Sequence, residues 1–272
     1  MSGVASLLKR IVSSTLLLGL TGFILFKAGA FWFGLEVIAF IALALFEFFY
    51  LLRKENHPVY RLFGITMGVA IPFIVLLESG NTQSGEVLFL VLGCLFLFLI
   101  QFFKQNNAEA LVGISLTLFG ILYISWFLSF LIKIRFLNGG VAWIAYLLAV
   151  TKAADIGAYA FGSSLGRHSL IQHISPKKTV EGLLGGLALS VLVSLALGPY
   201  LPKAFSPVHL AAMGFLVGVV GQIGDLSESL MKRFCNAKDS AEYLPGIGGV
   251  LDSVDSIIFT APIFYFHIRV LS

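Results

Sequence analysis

Three carboxylates and a hydroxyl group in the last fifth of the chain have the spacing of a metal site. Asp225 ends an apolar run, and Ser229 follows four residues later on the same helical face. Asp252 and Asp255 stand three residues apart, about 60° around a helix, at the start of the last apolar segment. Capping of that helix explains Asp255 alone. The full set fits a divalent cation such as Mg²⁺, which commonly uses one or two carboxylates plus waters and phosphates.

Cations and glycines that suit phosphate binding accompany these carboxylates. Lys232, Arg233 and Lys238 lie between Asp225 and Asp252 in the chain, and a Pro-Gly-Ile-Gly-Gly turn at 245–249 precedes the last helix. Glycines let backbone amides approach a phosphate, and a helix start adds its dipole. A second candidate cluster, Ser-Pro-Lys-Lys-Thr-Val-Glu-Gly at 175–182, can equally be a topology determinant or a lipid anchor.

The elements that position these residues are membrane helices. The 272 residues are 58% hydrophobic and only 12% charged, with a mean hydropathy of +0.96. An ordinary soluble domain has about 25% charged residues. We therefore predict an all-α polytopic membrane protein with about nine spans and a polar, cytoplasm-facing cavity in its C-terminal half. The predicted spans are 11–27, 30–51, 60–77, 87–103, 110–131, 141–154, 183–201, 207–226 and 250–270.

Two regions of different character follow from this pattern. Residues 1–140 are predicted to form about five N-terminal spans, with the first apolar segment retained as a helix. Residues 141–272 are predicted to form a catalytic region of about four spans with two polar segments, 152–182 and 227–249. The sixth span is short and can continue as a helix through Asp155 into a water-filled region.

The lysines and arginines predict which side these segments face. With a cytoplasmic N-terminus, thirteen of the 18 lie on the cytoplasmic side. Both charged segments then face the cytoplasm, where nucleotides are, in a multi-pass protein of a bacterial-type cytoplasmic (inner) membrane. A net charge of +4 sorted in this way indicates no nucleic-acid partner.

The remaining titratable residues provide weaker signals. Glu47 is a carboxylate at membrane depth, and we expect it to pair with Arg53 or line a cavity rather than take part in catalysis. The two cysteines form neither a metal-ligand spacing nor a disulfide framework. None of the five histidines has another at ligand spacing such as i, i+4, so they are interpreted as interfacial.

Carboxylates for a metal, cations for phosphates and a glycine-rich turn together are typical of phosphoryl or nucleotidyl transfer. Their place between apolar helices predicts one water-soluble triphosphate and one lipid as substrates. The segment from Ser229 to Asp255 then resembles the motif of the phosphatidate cytidylyltransferase (CDP-diacylglycerol synthase) family, S-x-x-K-R-x4-K-D-x5-P-G-H-G-G-x-x-D-R-x-D. The segments Asp155-x-Gly-Ala-Tyr, Ser-Pro-Lys-Lys-Thr-x-Glu-Gly and Gly-Asp-Leu-x-Glu-Ser occur in the same order.

This resemblance implies transfer of the cytidylyl group of CTP to phosphatidate with Mg²⁺, in phospholipid biosynthesis. It also implies a homodimer and a possible K⁺ ion. The catalytic residues would be Asp225, Asp252 and Lys232, and the metal ligands Asp225, Ser229, Asp252 and Asp255. The substrate-binding residues would be Asp155, Ser175, Lys177, Lys178, Thr179, Glu181, Glu228, Arg233, Lys238, Asp239, Gly248 and Gly249.

The chain departs from the family motif at two positions. Ile247 stands in place of the histidine and Ser253 in place of the arginine. An arginine can bind a phosphate or carboxylate through two hydrogen bonds, which serine cannot do. Three alternatives therefore stay open: a CTP-dependent kinase of a polyprenol or phytol-type alcohol, a cytidylyltransferase for another lipid phosphate, and an ion-coupled transporter.

Overall fold

The helices follow the apolar runs of the sequence. A computed structural model describes residues 17–78, 84–104, 108–238, 240–241 and 248–271. In the described residues up to 136, the helices are α1 (Leu17–Lys27), α2 (Ala30–Lys54), α3 (Arg61–Leu77), α4 (Ser84–Phe102) and α5 (Ala110–Phe136). After residue 136 they are α6 (Gly140–Leu165), α7 (Val180–Leu197), α8 (Pro207–Phe234) and α9 (Val250–Leu271). The middle of α5 is a π-helical segment, Ile121–Trp126.

The prediction of an all-α polytopic membrane protein is confirmed, with one addition. A short antiparallel hairpin, β1 (Ser169–Ile171) and β2 (Ser175–Thr179), separates α6 from α7, so the lysine-rich motif is a strand rather than a loop. Among the described helices, six are long and apolar enough to cross a membrane; α1 and α3 are apolar but shorter, and α9 is not among the six. The number of nine crossings therefore stays a prediction.

The chain divides into two compact units. The first contains the described residues up to Phe136 together with those from Cys235 to Ser253, and the second contains Leu137–Phe234 and the described residues from Val254 onward. The change near residue 137 lies close to the predicted boundary at 140, but the segment after α8 groups with the N-terminal helices. The start of α9 therefore belongs to the first unit and the rest to the second.

Glycines allow α6 and α7 of the second unit to pack closely. A Cβ atom on Gly157 would lie 2.6 Å from the carbonyl oxygen of Gly185, and one on Gly186 would lie 2.7 Å from that of Ala154. Small residues at helix contacts let backbones approach in membranes, where packing drives association. This close contact places the C-terminal half of α6, which carries Asp155, directly against the start of α7.

The core of the first unit is built by α2, α3 and α5. Ile41, Ala44, Leu45 and Phe49 of α2 are fully buried. Arg53 and Lys54 occupy the last turn of α2, where cations complement the helix dipole. A buried ion pair joins Lys133 of α5 to Glu86 of α4 in the same unit, so the charges are neutralised at a depth where solvent is excluded.

Candidate active site

The second unit brings two of the predicted aspartates together. Asp225 lies in α8 and Asp255 in α9, and the two carboxylates interact electrostatically. The helices approach closely at this level because Gly224 has no side chain: a Cβ there would lie 2.4 Å from the carbonyl oxygen of Asp255. Two like charges held near each other require positive charge to stabilise them, from the protein or from a cation.

Lys152 of α6 supplies part of that positive charge. Its Nζ lies 3.0 Å from Oδ2 of Asp155, one helical turn away, and 3.4 Å from Oγ of the buried Ser256. Ser256 in turn donates a 3.1 Å hydrogen bond to the same Asp155 oxygen. Lys152 also interacts electrostatically with Asp225 and Asp255. One lysine therefore connects the aspartates of three helices.

Lys178 supplies a second positive charge from the hairpin. Its Nζ lies 2.8 Å from Oδ2 of Asp225, and both side chains are mostly shielded from solvent. Lys178 is in β2, whose last residue, Thr179, caps α7 by accepting a 3.1 Å hydrogen bond from the Gly182 amide. Lys177 of the same strand is exposed, and Ser175 is half-buried. The motif is therefore a strand that orients one lysine toward the acidic pair.

Glu181 holds the turn before the hairpin. Its carboxylate accepts hydrogen bonds from the backbone amides of Arg167 and His168, at 3.1 and 3.2 Å, and lies 2.6 Å from the His168 Nδ1 atom. These bonds connect the first turn of α7 to the segment that leads out of α6. Glu181 is therefore committed to local structure, and its predicted role in substrate binding stays a prediction.

The last turns of α8 carry the next predicted residues. Glu228 is fully buried and forms an ion pair with Lys232, one turn later, at 2.5 Å. The Nε of Arg233 donates a 3.2 Å hydrogen bond to the Ile174 carbonyl at the start of β2. Ser229, which follows Glu228, is half-buried. Charges in this helix are thus largely paired within the second unit.

Asp252 belongs to the first unit, where it organises the start of α9. Its Oδ2 accepts hydrogen bonds from the Ser240 amide at 3.0 Å, from Ser240 Oγ at 2.8 Å and from the Gly249 amide at 2.7 Å. Gly248 has a φ of +107°, a conformation that favours glycine. The Asp252 carboxylate therefore closes the glycine-rich turn onto the helix that follows.

Glu47 of α2 has a role that the sequence did not reveal. It is buried, and its Oε1 accepts a 2.8 Å hydrogen bond from the Val250 amide. Its Oε2 accepts 2.9 Å bonds from the Leu251 amide and from Ser240 Oγ. The expected alternatives, pairing with Arg53 or lining a cavity, do not describe these contacts. Glu47 supplies the negative charge that the first amides of α9 favour.

The donor chemistry of the second unit fits a hard cation. In the part of the chain that the structure describes, no three His, Cys, Asp or Glu side chains form a group that could hold a metal ion. Asp225 and Asp255 nevertheless present two carboxylates together, which is the usual protein share of an Mg²⁺ site. The full predicted set of Asp225, Ser229, Asp252 and Asp255 stays a prediction.

Several motif residues lie at or beyond the limits of the structure. Asp239 and the turn residues 245–247, which include Ile247, are outside the described residues. Lys238 is exposed, and Gly249 is buried beside Glu47. The residues that sequence reasoning missed are Lys152, Ser256, Ser240 and the partners of Glu47. The i, i+3 spacing of Lys152 and Asp155 was the available signal for the first of these.

Comparisons with known proteins agree with this arrangement. Residues 8–271 match the model of the Cytidylyltransferase family. A phosphatidate cytidylyltransferase of Synechocystis is 32% identical over 291 residues, covering 97% of this chain and 97% of the relative. That of Bacillus subtilis is 32% identical over 249 residues, covering 88% and 90%. An uncharacterized protein of Escherichia coli, YnbB, is 40% identical over 157 residues, covering 58% of this chain and 52% of that protein.

Proposed function

We propose that this chain, which belongs to the cytidylyltransferase family, transfers the cytidylyl group of CTP to phosphatidate, giving CDP-diacylglycerol and pyrophosphate. Membership rests on a match over nearly the whole chain. The substrate assignment rests on relatives named phosphatidate cytidylyltransferase that match from end to end. The reaction requires a site for two highly charged phosphate groups beside a membrane.

The observation that carries the proposal is the charge arrangement of the second unit. Asp225 and Asp255 lie together, Lys178 pairs with Asp225, and Lys152 connects Asp155 to both. Phosphoryl chemistry depends mainly on positioning and on neutralising charge at the phosphates. Carboxylates that attract a metal, next to lysines that attract phosphate oxygens, provide both kinds of contact.

In the proposed reaction, a phosphate oxygen of phosphatidate attacks the α-phosphorus of CTP. A new P–O bond forms, the bond between the α-phosphorus and the bridging oxygen breaks, and pyrophosphate leaves with that electron pair. Because the attacking phosphate is already an anion, no strong general base is needed. Bound Mg²⁺ would neutralise negative charge on the phosphates. Asp225 and Asp255 would hold the ion, and Lys178 would orient a phosphate oxygen.

The family resemblance also supports finer proposals about the assembly. We place the site on the cytoplasmic face because both charged segments fall on the side rich in lysine and arginine. A homodimer and a K⁺ ion follow from the resemblance alone. Ser253, which replaces the motif arginine, donates a 3.1 Å hydrogen bond to the Gly249 carbonyl one turn earlier. It therefore supports the helix start without the cation that the motif places there.

The test is one assay in detergent with labelled CTP and three acceptors: phosphatidate, a polyprenol and a polyprenyl phosphate. CDP-diacylglycerol and pyrophosphate should appear together, and only with phosphatidate and Mg²⁺. Release of CDP with the polyprenol would instead establish the lipid kinase. A CDP-lipid formed only from polyprenyl phosphate would establish a cytidylyltransferase for another lipid.

A matched pair of variants separates chemistry from folding in this assay. Asp225→Asn keeps the shape of the side chain but removes the charge that pairs with Lys178, so turnover should fall at least 100-fold. Glu109→Gln makes the same change at an exposed carboxylate that precedes α5 in the first unit. It should retain normal turnover. Equal activity of the two variants would contradict the assignment of Asp225.

A further inference from the structure

Two histidines of the second unit lie side by side, far along the chain from each other. His209 is in the first turn of α8 and His267 is near the end of α9. Their Nε2 atoms are 3.2 Å apart, and both rings are half-buried. Sequence spacing did not indicate this pair, because the partners are on different helices.

The pair is remote from the acidic cluster of the same unit. His209 precedes Asp225 by sixteen residues on α8, which is about 24 Å at 1.5 Å per residue. His267 follows Asp255 by twelve residues on α9, which is about 18 Å on the same rise. The histidines therefore lie toward the opposite end of these two helices and take no part in the proposed reaction.

The geometry of the two rings is that of two ligands to one ion. With Zn–N bonds of about 2.0–2.1 Å, nitrogens 3.2 Å apart subtend roughly 100° at a shared zinc ion. Imidazole rings that radiate from that ion would have centroids about 5 Å apart on the same bond length. The observed separation of the centroids is 5.1 Å. The rings thus diverge from their Nε2 atoms as ligation requires.

Neighbouring aromatic rings hold this orientation. Phe205 stacks on His209, with ring centroids 4.9 Å apart and planes inclined by 12°. Phe205 contacts Trp143 edge-on, and Trp143 contacts Phe264, which lies one turn before His267 on α9. A ring fixed by packing loses less freedom when it binds an ion, so this support favours preorganised ligands.

We propose that His209 and His267 form a binding site for a borderline divalent cation of the Zn²⁺ class, with water completing the coordination. Imidazole nitrogen suits Zn²⁺, Ni²⁺ and Cu²⁺, whereas Mg²⁺ prefers oxygen. The site is therefore chemically distinct from the proposed Mg²⁺ site. An ion held by both rings connects the start of α8 to the end of α9 and should stabilise the second unit against unfolding.

The experiment titrates chelator-treated protein with Zn²⁺ in detergent, in the presence of excess Mg²⁺ to occupy oxygen sites. Bound Zn²⁺ per chain and the midpoint of thermal unfolding are both measured. The variants are His209→Gln and His267→Gln, and the matched control is His173→Gln at an exposed histidine of the hairpin turn. Gln preserves polarity and much of the volume, so the basal fold should persist in each variant.

The proposal predicts that wild type and His173→Gln bind one more Zn²⁺ than either pair variant. Their unfolding midpoint should also rise with Zn²⁺, while that of both pair variants should not. Ni²⁺ should reproduce the shift and Mg²⁺ should not. If wild type shows no binding beyond that of the pair variants, or the shift persists in both, the rings share only an N–H···N hydrogen bond and the proposal is wrong.

Discussion

Replacement of Glu47 by alanine tests how the start of α9 is held in the first unit. The buried carboxylate accepts three hydrogen bonds, from the Val250 and Leu251 amides and from Ser240 Oγ. The two amides are at the start of a helix, where backbone donors have no partner within the helix. The Glu47→Ala variant leaves all three donors without this acceptor.

The cost can be worked from these contacts. A hydrogen bond to a charged group contributes about 1.5–3 kcal/mol, and a buried donor left unsatisfied costs about 1–3 kcal/mol. Water that enters the space left by the side chain recovers part of this loss. We expect a net loss of about 3–5 kcal/mol in the free energy of unfolding. For a domain of this size that is on the order of 10 °C in the unfolding midpoint.

Activity should fall as well, because the turn that Glu47 holds leads directly to Asp252 and Asp255. A displacement of about 1 Å at a positioned group can cost roughly 100-fold in rate. Thermal unfolding and CTP-dependent turnover should therefore be measured on the same detergent-solubilised preparation. Glu47→Gln retains one acceptor oxygen and should fall between wild type and Glu47→Ala in both measurements.

The control is Glu55→Ala, which changes the residue that follows the same helix. Glu55 accepts a 3.0 Å hydrogen bond from Asn236, and that contact is exposed to solvent. Exposed contacts contribute roughly 0–1 kcal/mol, so this variant should be close to wild type. Our reasoning would be refuted if Glu47→Ala matched Glu55→Ala in unfolding midpoint and turnover, because the buried contacts would then contribute nothing.

Four further changes have defined outcomes. Asp252→Asn should abolish turnover in the CTP assay with little change in circular dichroism; near-normal activity would contradict its catalytic assignment. Lys152→Met should lower turnover at least tenfold, since Asp155, Asp225 and Asp255 lose a shared cation; an unchanged rate would exclude this role. Gly157→Ala should lower the unfolding midpoint by forcing α6 from α7, whereas Gly22→Ala, with no neighbour within 4 Å, should not. Burial raises the pKa of the Cys235 thiol to about 11, so at pH 8 it stays protonated and should be alkylated much faster after unfolding than before; equal rates would contradict its burial.

The fold was predicted well where a local pattern was sufficient. Each apolar run predicted a helix, since a chain in lipid must satisfy its backbone hydrogen bonds internally. The sixth span illustrates the limit of this reasoning. Its apolar part ends near residue 154, but α6 continues to Leu165 because Gly157 allows α7 to pack against it. The short hairpin was missed because two brief polar strands have no distinctive period.

The site was predicted less completely than the fold. The aspartates were found because charge beside a membrane is costly and their helical spacing is regular. Lys152 was missed because its partners Asp225 and Asp255 are distant in the chain. Glu47 was noticed, but its partners, the amides of α9, lie about two hundred residues away. Packing chooses these pairs, and no local spacing records them.

The sequence by itself determined that this protein spans a membrane, that it carries the charged motif of a cytidylyltransferase, and where that motif departs at Ile247 and Ser253. These properties depend on composition and short-range spacing. Only the tertiary structure decided that Lys178 faces Asp225, that Glu47 caps the last helix within the first unit, and that His209 meets His267. Each of those contacts joins distant segments, and the close packing of helices selects them.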